Sequence, residues 1–188
     1  MRKFTRTSSI ILAAALSAMI AFSQNAPKPA VKPADSPSKT LLDSWNDIGR
    51  KLTAMAEDFP EDKYDFKPTP AERSFAEQLL HAAGANYFFI DPVMGKKPPA
   101  AEDPKREQYK SKADVVAFVK KSFADGAAAI QSKGEKGLMT EVVYLPDQKA
   151  RVLDIAYGFI EHNGEHYGQL VVYYRLAGLV PPQSRPKK

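Results

Sequence analysis

The 188-residue sequence contains no cysteine. That absence excludes disulfides, thiol nucleophiles and thiolate metal ligands. Stability must then come from a packed core, and any metal must be held by nitrogen and oxygen. Histidine is nearly absent as well: the only three are His81, His162 and His166. No glycine-rich phosphate loop and no internal repeat is present. Long hydrophobic runs are missing too; the most apolar stretch, residues 9–22, is shorter than the roughly 20 residues a membrane-spanning helix needs. Nor is one sign of charge in great excess, with 27 Lys and Arg against 22 Asp and Glu.

The first 23 residues have the three-part pattern of a secretory signal peptide. Arg2, Lys3 and Arg6 form a positive start, residues 9–22 an apolar centre, and Ala21-Phe22-Ser23 places small residues around a cut before Gln24. Export to the periplasm or the medium is therefore expected, with no stable membrane span after cleavage. No cysteine lies near the cut, which excludes a lipid-modified N-terminus. Removing the three positive charges of this segment from the net +5 leaves about +2. A mature chain so weakly basic lacks the concentrated cationic face that nucleic acid requires. Residues 24–38 are rich in proline and poor in apolar side chains, the composition of a disordered tether. Residues 39–182 suit one domain with one core, and 183–188 form a basic tail.

Four amphipathic stretches predict an all-α four-helix bundle. The first, residues 39–58, places Leu41, Trp45, Ile48, Leu52, Met55 and Phe59 at alternating spacings of four and three, a narrow helical seam stopped by Pro60. The second begins near Ser74, where Ser74-Phe-Ala-Glu77 matches a capping box; Thr69-Pro-Ala-Glu72 is a competing start. It is apolar most of the way round through Ile90, as a buried helix should be. A Pro- and Lys-rich link over 91–110 follows, too long for adjacent antiparallel helices and so a crossover between parallel ones. The third helix starts at Ser111 and ends near Gly134. Residues 137–150 read as an irregular link, with Val142-Val-Tyr-Leu145 the best of a few isolated strand signals. The fourth helix spans about 152–177, ahead of Gly178 and Pro181-Pro182.

Ile155, Phe159, His162, His166 and Leu170 fall on the inward stripe of that last helix. His162 and His166 are thus one turn apart on one face. Two readings remain open from spacing alone. Each imidazole could be a core residue satisfied by a neighbour, or the pair could share a metal ion and so escape the cost of burying unpartnered nitrogens. A third ligand from an adjacent helix would complete a site with open coordination positions. Spacing cannot show that third ligand.

The chain also resembles the DinB/YfiT-like superfamily of small metal-binding four-helix bundles, over about residues 41–182. The marks are Tyr64-Asp-Phe-Lys-Pro-Thr-Pro70, Arg73-Ser-Phe-Ala-Glu-Gln-Leu-Leu-His81, His162-Asn-Gly-Glu-His166-Tyr-Gly-Gln-Leu-Val-Val-Tyr-Tyr-Arg175 and Gly178-Leu-Val-Pro-Pro182. The resemblance implies an up-down-down-up bundle with a long crossover between helices 2 and 3. It implies that His81, His162 and His166 hold a divalent transition metal, zinc, nickel or iron. Imidazole suits all three metals, so the ligands do not choose among them. It further implies a metal-dependent transferase or hydrolase acting on a small molecule, and pairing into a homodimer. The other reading is a non-catalytic bundle whose metal is structural, or a binding or interaction module. Export weakens thiol transfer as the reaction, since low-molecular-weight thiols are scarce outside the cytoplasm.

Around the triad no catalytic residue can be assigned. Since i−1 on a helix points about 100° from its neighbour, Glu165 and Glu161 read as solvated or interface carboxylates, with a catalytic base as the alternative. Asn86 reads as a buried inter-helix hydrogen bond, with a substrate or second-sphere contact as the alternative. Tyr157, Tyr167 and Trp45 read as core aromatics with a polar tip at the pocket edge. Arg175 complements the helix dipole.

Overall fold

A computed structural model describes residues 33–99, 103–145 and 147–186. The expected signal peptide, most of the tether, and Lys187 and Lys188 of the tail lie outside the described residues. The first helix, α1 (Pro37–Asp58), starts two residues earlier than the periodicity predicts. Ser36 caps it, accepting from the Lys39 amide, and Pro37 occupies the first turn, where its missing N–H costs nothing. The predicted seam is the buried one: Leu41, Trp45, Ile48, Leu52 and Met55 all face the core.

Chain reversal after α1 runs through a 3-10 turn, Glu61–Lys63, to α2 (Phe75–Ala85). Of the two competing starts, the capping box at Ser74 is the one formed. Ser74 Oγ accepts from the Glu77 amide at 3.2 Å, and Glu77 Oε2 accepts from the Ser74 amide at 2.6 Å. Phe75 stacks on Phe59 beneath this turn, and Tyr64 packs at an angle against both rings, so Tyr64 belongs to the core.

The predicted second helix is broken at Asn86, and a separate short helix, α3 (Tyr87–Val93), continues it. Asn86 is fully buried. Its Nδ2 donates to Ser122 Oγ at 3.2 Å, and its Oδ1 accepts from Asn163 Nδ2 at 2.7 Å. This bears out the inter-helix reading of Asn86.

The third long helix, α4 (Lys112–Gly137), is capped by Ser111 with Asp114 as its box partner. Gly134 takes a left-handed φ of 55°, which breaks the helical path where the sequence predicts an end. The link expected to be irregular instead carries a hairpin, β1 (Glu141–Leu145) with β2 (Gln148–Arg151), paired antiparallel with Val142 opposite Ala150. Asp147, at φ 66°, carries the chain round between the strands. Val142 and Tyr144 pack against the core cluster, and that apolar anchor stabilises a ribbon that would be marginal alone.

The last helix, α5 (Val152–Leu176), follows β2 directly. All these elements belong to one compact unit from residue 35 onward. Specific bonds tie the helices to one another. Tyr174 OH on α5 donates to Met55 O on α1 at 2.8 Å, Tyr173 OH to Arg73 O at 2.7 Å, and Trp45 Nε1 on α1 to Phe123 O on α4 at 2.9 Å. Among the described residues no helix is long and apolar enough to cross a membrane.

Candidate metal centre

The capping box fixes where α2 begins, and so places Gln78 and His81 one turn apart on a single face. On α5 the inward stripe carries Phe159, His162 and His166. The structure brings the three histidines together: each can offer a ring nitrogen within 4.8 Å of the other two. Ring centroids are 4.3 Å apart for His162 and His166, 4.7 Å for His81 and His166, and 5.5 Å for His81 and His162. His162 Nε2 and His166 Nε2 face each other at 3.0 Å. Four-coordinate sites with metal–nitrogen bonds of 2.0–2.1 Å need nitrogen separations of about 3.4 Å. The His162–His166 separation is close to that, and a ring nitrogen of His81 lies within 4.8 Å of both.

The outward nitrogens are also placed. His81 Nδ1 lies 2.6 Å from Asp103 Oδ1, and Asp103 Oδ2 accepts from Arg73 Nη2 at 2.9 Å. His166 Nδ1 lies 2.6 Å from Gln78 Nε2 and 3.1 Å from Gln169 Oε1, and Gln78 donates to Gln169. Holding an ion through Nε2 requires hydrogen on Nδ1; both amides must then turn end for end, so that Gln78 Oε1 accepts from the ring and Gln169 donates to Gln78. His162 Nδ1 is buried without a partner.

Burial holds His162 in its neutral form, with a pKa of about 4, and the neighbouring His166 and His81 rings and Arg73 add to the effect. Burial likewise lowers the pKa of His166, helped by His81 and against the hydrogen bond to Gln169. Neutral imidazoles keep the lone pairs that a metal needs. Burial also opposes ionisation of Asp103, but the hydrogen bonds from His81 and Arg73 outweigh it and keep the group anionic. Three converging imidazoles, with two of the three outward nitrogens anchored, therefore fit a divalent transition metal.

An open groove of about 920 Å³ meets the site through Gln78 and Gln169 rather than through the histidines themselves; Arg73, Tyr173, Val172 and Leu176 also line it. A second cavity of about 370 Å³ touches His162 from the hairpin side, beneath Tyr144 and Ala150.

A family model for the DinB superfamily matches residues 45–170. The chain belongs to the DinB superfamily. Solved structures of similar fold include a DinB-like protein from Bacillus cereus ATCC 10987, 19% identical with a TM-score of 0.64, covering 77% of this chain and 95% of that one. Another is a DinB-like protein from Bacillus subtilis, also 19% identical, with a TM-score of 0.62 and coverage of 79% and 99%. A conserved protein from Enterococcus faecalis follows at 12% identity and a TM-score of 0.52, covering 74% and 95%. No curated protein matches the sequence.

Several expectations about neighbouring residues are settled by the packing. Glu161 and Glu165 are exposed, as read. Trp45 is fully buried among Phe89 and Phe123, away from a pocket edge, and Tyr157 is 64% exposed, so it is not a core aromatic. Tyr167 is half-buried against the core. Sequence reasoning missed Gln78, Gln169, Asp103 and Asn163. Two of these were within reach: Gln78 is three residues before His81 and Gln169 three after His166, each a same-face position. Asp103 sits in a segment with no periodicity and carried no signal.

Proposed function

We propose that this DinB-superfamily chain is an exported, metal-dependent protein that acts on a small molecule as a transferase or hydrolase. His81, His162 and His166 are the ligands of its divalent transition metal. The observation that carries this reading is the groove of about 920 Å³ lined by Gln78 and Gln169, the two amides that contact His166. Arg73, Gln78 and Gln169 give it polar groups next to the histidines, and Val172 and Leu176 an apolar end. When bound, the ion supplies Lewis acidity and activation of a nucleophile. The groove residues bind and orient the substrate, Asp103 holds the hydrogen on His81 Nδ1, and the Gln78–Gln169 amide pair holds that on His166 Nδ1. The substrate is a small molecule with a polar group near Arg73 and an apolar portion over Val172.

Like ends of α1 and α5 meet through Tyr174 and Met55, whereas the start of α2 meets the end of α5 through Arg73 and Tyr173. These contacts support an up-down-down-up order with the crossover before α4. A homodimer belongs to the same proposal.

A second reading has its own support. The triad joins α2 to α5, so a bound ion would cross-link two helices and could serve stability alone.

Elemental analysis of protein purified without a histidine tag tests the common premise. About one equivalent of zinc, nickel or iron is expected, and His162→Ala should lose it together with several degrees of melting temperature. Wild-type protein that takes up none of these metals would refute the centre. X-ray absorption on the loaded protein separates the two roles. An exchangeable light-atom ligand in addition to three imidazoles is expected for catalysis; a fourth protein ligand would leave only the structural role. Cell fractionation tests export.

A further inference from the structure

The link between α3 and α4 has no reason in its sequence to approach the histidines, yet it reaches them. Its residue Pro104 lies flat on α2 at Gly84: a Cβ added there would meet Pro104 Cδ at 2.7 Å. That close seat is open only to glycine, and it delivers Asp103 to the rim of the site. Arg73 grips one oxygen of the Asp103 carboxylate through Nε at 3.1 Å and Nη2 at 2.9 Å. The other oxygen is left for His81 Nδ1, at 2.6 Å. Further along, Arg106 pairs with Asp65 at 2.9 Å and holds the same segment down.

We propose that Asp103 is a positioning residue for His81, brought to the metal centre by the 103–108 segment and aimed by Arg73. This rests on the metal-centre reading above. A neutral imidazole has one N–H and one lone pair. A carboxylate at Nδ1 takes the hydrogen there, so the lone pair lies on Nε2, the nitrogen left to face His162 and His166. The carboxylate also fixes the ring's rotation and raises its basicity as a ligand. His81 is only partly buried, with 22% of its side chain accessible, so such a brace is what holds its ring in place. The segment thereby becomes part of the site, and metal affinity depends on its seat on α2.

Zinc affinity, measured by chelator competition on the full-length mature protein, tests this alongside His81→Ala. Asp103→Ala is expected to weaken zinc binding about 10–100-fold. Asp103→Asn keeps an acceptor at Oδ1 and should recover part of that loss. Nitrogen-15 spectra of the zinc-loaded protein should show His81 hydrogen on Nδ1, protected from exchange in wild type and unprotected in Asp103→Ala. Thermal unfolding of the metal-free variants should stay close to wild type, which separates positioning from a purely structural role. Wild-type affinity in Asp103→Ala, with binding abolished in His81→Ala, would overturn the proposal and leave the metal centre standing. Equal losses in the Ala and Asn variants would also overturn it. Failure of the wild type to bind zinc, nickel or iron removes both together.

Discussion

The metal-free protein should lose stability on mild acidification, and His162 should carry much of the loss. Its folded pKa of about 4 lies below the ordinary 6.5 because burial and the two neighbouring rings disfavour the charged form. Between these values the unfolded chain binds a proton that the folded chain refuses. Stability is therefore complete above about pH 6.5 and falls as the pH drops towards 4. A sealed ring with this shift would cost about 2 kcal/mol between pH 7.5 and pH 5. His162 is only half-buried, so solvent screening reduces this to roughly 1 kcal/mol. Carboxylates held low in the fold, such as Asp58 and Asp103, contribute in the opposite part of the range, below about pH 4.5, so the window from 7.5 to 5 isolates the histidines. Urea unfolding in the presence of a chelator at the two pH values measures the difference. His162→Gln should remove about half of it or more, with His166 supplying the rest. A change below about 0.3 kcal/mol, or an undiminished one in the Gln variant, would show that the rings are not buried as described. The same protonation competes with metal, so loaded protein should release its ion over the same acid range.

Two glycines on long helices should respond with opposite signs. A Cβ at Gly126 would come within 1.9 Å of the Trp45 ring, which is itself locked by its bond to Phe123 O and by Phe89. Gly126→Ala gains about 1 kcal/mol of helix propensity but overpacks a rigid ring at a cost of about 1–3 kcal/mol or more, so net destabilisation is expected. Gly158 has nothing within 4 Å of its would-be Cβ. Gly158→Ala should therefore raise stability by up to about 1 kcal/mol, or some 2–4 °C in melting temperature; calorimetry finding the same sign for both would contradict the packing. Tyr174→Phe removes a buried hydroxyl that donates to Met55 O. A loss of about 1 kcal/mol is expected in urea unfolding, and no loss would mean that this tie between α1 and α5 is unimportant.

How far the sequence reaches is visible element by element. The α1 seam, the Ser74 and Ser111 caps and the α5 stripe depend on local spacing, and each is where the periodicity puts it. The break at Asn86 was not readable, because it depends on Ser122 and Asn163, 36 and 77 residues away. The hairpin in 137–150 is half legible: Val142-Val-Tyr-Leu145 carries a strand signal, but its partner, Gln148–Arg151, has none and is held by pairing and by the packing of Val142 and Tyr144 on the bundle. Trp45 and Tyr157 were both assigned a pocket edge. Which way each faces depends on the neighbouring helices: α4 covers Trp45, and nothing among the described residues buries Tyr157.

The inventory of the site is legible in the residue types alone. With no cysteine and three histidines, nitrogen and oxygen were the only ligands open to a metal, and the i, i+4 spacing put two imidazoles on one face of one helix. What surrounds them follows from how the helices pack. His81 meets the pair because α2 packs beside α5, and Asp103 meets His81 because Gly84 lets Pro104 sit against α2. Helical periodicity is a property of neighbours in the chain and is written in the sequence. Contacts between segments depend on how close two backbones can approach, and that distance exists only once the bundle has packed.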